Sequence, residues 1–433
     1  MNSRTLRYII RFLLGDDVSE DVVSSIGYTA NPKLFERYSI VILPSGFFSN
    51  HVYGTPASLP ELPLKEIEGT PLLFGTPEVE QVDDTLVIHA DLIASTYFLV
   101  TRYEEVVRRN VRDEHGRFPG KESLPYRAGF IHRPIVDEYR QILRRWLRDY
   151  GFPIPEDKAG LRRIWLTHDL DAPTLYRSWR GVVRSIRDHR GILPSFRGKF
   201  GALESDPYYT FPWMFERDKA FRQEMGGDVC RSVLFVRSGG RCRQDKPHYS
   251  LRDKDINHLL SYAAESDIAV GLHASYEAGR KPHLVKTEKA ALETHLGKRV
   301  RMNRHHYLSL REPEDMMQLE AVGVTDDFTM GYADVAGFRL GTSRPIHWID
   351  PVNHRLSSVV MHPLTVMDCT LEEKKYMGLG YEEALAYSLR LAEEAKKAGG
   401  ELTLLWHNSS CRDGSDSYLK RLYGCLLNEL AKK

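Results

Sequence analysis

The sequence predicts an α/β protein whose larger part is built on a parallel sheet. Three observations lead there. Short apolar runs at 164–167, 232–236, 269–273 and 402–406, with weaker ones near Val300 and Val324, alternate with longer segments of helical period at 256–266, 284–296, 313–321 and 381–398. Strand–helix alternation of this kind implies parallel strands with crossover helices, in a sheet that is either open or closed into a barrel. Several of the runs also deliver an aspartate or a histidine at their C-terminal ends, where parallel α/β folds collect their chemistry. With 433 residues, 42% of them hydrophobic, the chain can bury a sizeable core in two domains or more.

A smaller α/β domain is expected before the sheet. Its first helix lies near Tyr8–Leu14, where Arg11 interrupts the apolar run and Asp16 and Asp17 follow, unlike a signal peptide. The β-rich runs 40–43 and 86–88 flank a proline-rich stretch, 56–77, that should be turns and extended chain. Helices follow at 94–107 and 135–150, the second with Ile135, Val136, Tyr139, Ile142, Leu143 and Trp146 on one face. Pro153 and Pro155 end it, because proline lacks the backbone donor and restricts its predecessor. The boundary therefore falls there, giving domains 1–155 and 156–433.

Charge is balanced, 60 Lys+Arg against 59 Asp+Glu, so nothing global points to nucleic acid or an anionic membrane as a partner. Five scattered cysteines without C-x-x-C spacing suit a reducing compartment. No apolar stretch reaches the ~20 residues that cross a bilayer. A cytoplasmic location is the expectation. Between Thr174 and Tyr209 lies a long insertion whose piece 176–190 is basic and amphipathic. It is expected to be a solvated helix packing Trp179, Val182, Val183 and Ile186, the alternative being contact with an anionic surface.

The sharpest local feature is Ile164-Trp165-Leu166-Thr167-His168-Asp169-Leu170-Asp171. In extended chain alternate side chains share a face, so Asp169 and Asp171 point together. Two ionised carboxylates that close repel, and a cation or a shared proton relieves them. Loop-forming aspartates, a His-Asp phosphohydrolase pair and the D-x-D of a nucleotide-sugar glycosyltransferase are competing readings of the same string. Leu272-His273 and Trp406-His407 each place a histidine after an apolar strand. Arg304, His305, His306 and Tyr307 follow another, and Asp327 and then Arg339 lie in the glycine-bearing region beyond it. Tyr208, Tyr209 and Trp213 suit either sugar stacking or core packing.

Taken in order, these strings resemble the motifs of the polysaccharide-deacetylase (NodB-homology, carbohydrate esterase family 4-like) superfamily. The resemblance runs from about Arg162 to Asn408 and implies a distorted, incomplete (β/α) barrel. Thr167-His168-Asp169-Leu170-Asp171 is similar to its first motif, which implies Asp169 as general base and Asp171 as a metal ligand. Gly271-Leu272-His273-Ala274-Ser275-Tyr276 is similar to the second, implying His273 as a ligand. Arg304-His305-His306-Tyr307 resembles the arginine-bearing third motif and Asp327 the aspartate-bearing fourth. Leu405-Trp406-His407 resembles the fifth, implying His407 as general acid. The stretch from Tyr97 to Phe118 resembles an uncharacterised domain attached to such deacetylases in bacteria.

The family's H-x-x-x-H departs here to His273 followed by Glu277, so the third ligand is His306, favoured because imidazole suits a zinc-like ion, or Glu277. The resemblance implies a divalent ion, zinc before cobalt, nickel or iron, and hydrolysis of an N-acetyl or O-acetyl group on an amino sugar or polysaccharide. Arg304 or Arg339 would orient Asp169 or His407. The alternative classes are a non-catalytic carbohydrate-binding or assembly protein on the same barrel and, behind it, the glycosyltransferase.

Overall fold

A computed structural model describes residues 1–157, 160–177, 179–187, 191–413 and 417–432. The first six strands are β1 (Ile26–Tyr28), β2 (Ile40–Ile42), β3 (Lys65–Ile67), β4 (Thr70–Leu72), β5 (Gly75–Val82) and β6 (Thr85–Ala90). Four of them form a sheet in the order β1-β2-β6-β5, while β3 and β4 make a separate hairpin inside the proline-rich stretch. The two runs foreseen as strands are direct neighbours, Ile40 opposite Leu86 and Ile42 opposite Ile88. Helices Ser3–Leu14 and Ile135–Asp149 pack on each other with buried apolar faces. The helix expected at 94–107 is two helices, Leu92–Val100 and Tyr103–Val107. The break falls at Arg102, whose left-handed φ of 59° turns the chain. That turn lets its guanidinium reach Glu105 at 2.6 Å and the carbonyls of Leu310 and Arg311.

The second group is β7 (Arg163–Leu170), β8 (Cys230–Val236), β9 (Ala269–Ala274), β10 (Met302–His305), β11 (Asp326–Asp327), β12 (Ile346–Asp350), β13 (Arg355–Met361), β14 (Val366–Met367) and β15 (Glu401–Leu405). They form one sheet in the order β12-β13-β11-β10-β9-β8-β7-β15-β14. Every pairing is parallel except β12 with β13 at one edge. The sheet is strongly curled. Arg304 on β10 touches Thr167 and Asp169 on β7, three strands away, although flat neighbours stand ~4.8 Å apart. His362 spans further, binding Glu401 of β15 at 2.7 Å and Asp326 of β11 at 3.1 Å. Among the described residues no strand pairing closes the circle between β13 and β14. Instead, the chain itself crosses: His362 N donates to Asp327 O, and Thr365 N to Thr403 O. The result is an incomplete barrel, closed on one side by a strap.

Strands β12 to β14 and the helix Phe211–Met225 were not foreseen. β12 and β13 carry mixed polar faces, and β14 is only two residues long. Inside the barrel Trp165, Val233, Phe235 and Phe328 fill the floor. Gly271 makes room there, since a Cβ would stand 2.6 Å from the Phe235 ring.

The insertion after β7 forms two helices, Trp179–Arg187 and Ile192–Phe200, each packed chiefly on the other. The packing expected of its first helix holds for Val182 alone; Trp179, Val183 and Ile186 are exposed. The reason is geometric: a hairpin standing off the barrel has one shared seam, so its outward stripes find no partner. One hydrophobic cluster includes residues of both groups of strands and their helices. Asp137 ties them with polar bonds as well, accepting from Thr342, Ser343 and Arg344.

Candidate metal centre

The C-terminal ends of β7, β9 and β10 meet at one mouth of the barrel. β7 alternates: Thr167 and Asp169 turn inward, whereas His168 faces outward, with Nδ1 on Trp406 O and Nε2 at 3.0 Å from Asp218. His168 is thus part of the packing behind the sheet. Asp171, one turn of the pleat beyond Asp169, lies at the mouth with its carboxylate partly exposed.

His273 Nε2 lies 3.1 Å and His306 Nε2 3.2 Å from the same Asp171 Oδ1. The other ring nitrogens are occupied: His273 Nδ1 bonds to Arg304 O at 2.9 Å, and His306 Nδ1 to Asp245 Oδ1 at 3.0 Å. Both acceptors are oxygens without protons, so Nδ1 is the donor in each ring and a neutral ring aims its Nε2 lone pair at Asp171. Two lone pairs facing a carboxylate oxygen require protons or a cation between them. Burial opposes charge on His306, but Asp171 and Asp245 raise it; burial likewise opposes charge on Asp171, yet His306 and His273 hold it well below the usual carboxylate range. The three ligand atoms lie within 4.8 Å of one another. Tetrahedral sites with bonds of ~2.0–2.1 Å space neighbouring ligand atoms ~3.3 Å apart, close to the separations found here. One carboxylate and two imidazoles, each ring oriented through its second nitrogen, fit a divalent ion with room for another ligand.

Glu277, the competing third ligand, turns away. It pairs with Lys281 and accepts from Arg241 N, which together lower its pKa. Asp245 was missed by the sequence reading because it lies in a loop, Cys242-Arg243-Gln244-Asp245, with no strand before it. Despite burial, bonds from His306, Cys242 and Tyr276 N hold it at about 2.

Asp169 is buried beside the trio, its Oδ2 3.6 Å from His273 Nε2 and its Oδ1 3.1 Å from Arg304 Nη1. Arg304 also donates to Thr167 Oγ1 and Phe328 O and lies over the Phe235 ring. On the far side, His407 Nε2 stands 3.5 Å from Asp171 Oδ2. Its Nδ1 bonds to Asp368 Oδ1 at 2.8 Å, and its backbone N donates to Asp368 Oδ2 at 2.7 Å. Burial would discharge the ring, but Asp368 prevails with help from Asp171 and Asp169, and its pKa rises to about 10. Asp368 was also missed: it follows the two-residue β14, too short to register as a strand. A second group of potential ligands, Asp368, Cys369 and His407, shares this histidine.

Two of the expected residues are not brought here. Arg339 is buried elsewhere, bidentate to Glu105 at 2.8 and 2.9 Å and donating to Gly331 O, so it orients neither Asp169 nor His407. Buried cations need a paired carboxylate, and Glu105 supplies it here. Asp327 accepts from Asn303 and Thr329 behind β10, organising the loop beneath Arg304 and not facing the cavity. Tyr209 is buried and Trp213 packs near Tyr423, whereas Tyr307 and Tyr376 line the cavity. That cavity is about 380 Å³ and is also lined by Asp169, Asp171, His306, His407 and Arg117. Tyr307 and Leu308 adopt consecutive left-handed conformations, φ 61° and 53°, immediately after His306. Arg117, from the N-terminal part, donates to Tyr307 O at 2.9 Å and fixes that turn.

A family model described as "Family of unknown function (DUF7033)" matches residues 2–151. No curated protein matches the chain. Among solved structures, the chain is similar to a Mycobacterium smegmatis protein described as a "putative polysaccharide deacetylase", at 14% identity and a TM-score of 0.40, over 64% of this chain and 87% of that one.

Proposed function

We propose that this chain is a metal-dependent hydrolase that removes acetyl groups from an amino sugar or polysaccharide. The observation that carries the reading is the arrangement around Asp171: His273 and His306 on one carboxylate oxygen, His407 on the other, and Asp169 alongside. Asp171, His273 and His306 would hold the ion, which supplies positive charge to polarise an acyl oxygen and to acidify water.

The chain's own residues supply the proton transfers. Arg304 fixes Asp169 with one oxygen engaged, leaving the other free at the cavity to accept a proton from attacking water. His407, protonated through neutral pH and oriented by Asp368, can donate to the departing amine or alkoxide. Acceptor and donor flank Asp171, the geometry an acyl transfer between them requires. Zinc is the first expectation for one carboxylate with two imidazoles, ahead of cobalt, nickel or iron. The non-catalytic reading was motivated by the missing second histidine of H-x-x-x-H, and His306 now offers that nitrogen. The D-x-D reading would have both carboxylates serve the ion and the nucleotide, whereas one oxygen of Asp169 is already engaged by Arg304.

The test is metal content of the purified chain beside Asp171→Ala and His273→Ala, followed by acetate release from N-acetylated and O-acetylated glycans. Near-stoichiometric metal abolished by both substitutions, with acetate release lost in Asp169→Asn while metal stays bound, is the expected result. Normal hydrolysis by Asp169→Asn would sink it.

A further inference from the structure

The helical hairpin between β7 and Phe211 has no role in the cavity chemistry, yet it carries the largest concentration of exposed apolar side chains on the described surface. Trp179, Val183, Ile192, Leu193 and Phe200 are each more than 60% exposed. Isolated exposed leucines need no explanation, but this many on two short adjacent helices form a patch. Phe196 and Phe200 stack, Trp179 meets both rings edge-on, and Lys199 Nζ lies 4.7 Å from the Trp179 ring centre.

Charge selects the partner. In a chain whose net charge is +1, residues 179–200 contain Arg180, Arg184, Arg187, Arg190, Arg197 and Lys199 against a single carboxylate, Asp188. A second copy meeting this face across a two-fold axis would bring Arg187, Arg197 and Lys199 together and is disfavoured. Aromatic and branched apolar residues mixed with Arg and Lys suit the headgroup and upper acyl region of an anionic bilayer. Among the described residues no helix is long and apolar enough to cross a membrane, so the contact is one of lying on the surface.

The hairpin is also tied to the cavity. Asn408, next to His407, donates to Ala172 O at 2.9 Å and Tyr208 O at 2.7 Å, clipping both ends of the insertion at the cavity rim. Arg177 braces its base against Asp255.

We propose that this hairpin docks the protein peripherally on anionic lipid membranes and holds the cavity close to the bilayer. The proposal concerns the surface and stands whether or not the cavity performs the hydrolysis above. The test is flotation of the full chain with vesicles of phosphatidylcholine alone and of phosphatidylcholine containing about one-quarter phosphatidylglycerol. Wild type should bind only the anionic vesicles and release in about 0.5 M salt. Ile192→Asp with Leu193→Asp, and separately Arg197→Glu with Lys199→Glu, should each reduce binding at least tenfold, on the order of fivefold per cation lost. Ile192, Leu193 and Arg197 are exposed and Lys199 is half-buried on the hairpin surface, so melting temperature should be unchanged and acts as the folding control. Absence of binding to anionic vesicles overturns the proposal, as does binding that both double variants retain. Self-association in sedimentation velocity that the Ile192 and Leu193 changes abolish would assign the patch to a second copy and overturn it equally.

Discussion

Asp245 Oδ1 accepts the Nδ1 proton of His306 at 3.0 Å, and so sets which nitrogen of that imidazole faces Asp171. A carboxylate behind a ligating histidine fixes the ring and raises its basicity. Asp245→Asn should therefore weaken metal affinity by about 10- to 100-fold without removing any direct ligand. Competition against a graded series of chelators measures it; unchanged affinity would mean that His306 is not a ligand.

The pair His407–Asp368 gives a second expectation. Loss of the Asp368 charge in Asp368→Asn removes the main influence holding the imidazole at about 10. The alkaline limb of the kcat profile should move to lower pH by about one to three units, because an opposite charge at this range favours the protonated ring by that amount. A wild-type limb with no shift in the variant would show that His407 does not donate the proton.

His362 ties the barrel's two sides, and its contribution should be pH-dependent. Burial disfavours its charge, but Asp326 and Glu401 raise it to about 9. A folded-state value above the unfolded ~6.5 means the stabilisation is complete below that pH and fades as pH rises to about 9. The span corresponds to on the order of 3 kcal/mol. Urea melts across this window should show the decline in wild type and a flatter profile in His362→Gln.

Glu105 sits between two buried guanidiniums, Arg102 at 2.6 Å and Arg339 at 2.8 Å. Although burial favours its neutral form, the two arginines keep it ionised. Glu105→Ala would strand both cations, and breaking a buried pair in this way costs about 3–5 kcal/mol. Chemical denaturation should show that loss, or little soluble protein at all.

Much of this was legible in the sequence, for a physical reason. Strands that are buried on both faces must be continuous apolar runs, so β7, β8, β9 and β15 stood out, and the polar residues ending β7 and β9 had to face a solvent-accessible mouth. Asp171, His273, His306 and His407 converge because those ends converge. Asp368 and Asp245 did not show, since one follows a two-residue strand and the other an irregular loop. Arg339 misled because its partner, Glu105, lies 234 residues away, and no local pattern carries that information. The exposed face of the insertion was misread for a related reason. Periodicity identifies an apolar stripe but not whether anything lies against it.

The bond from Arg117 to the carbonyl of Tyr307 gives the first 150 residues a share in the cavity wall. The barrel is therefore not an interchangeable cassette. Exchanging the N-terminal part between related chains would reset the turn after His306 along with it, so substrate preference should travel with the donor of that part. A chain shortened to begin near residue 156 would lose the anchor of that turn and also uncover Arg339, leaving folding and cavity shape compromised by a single cut.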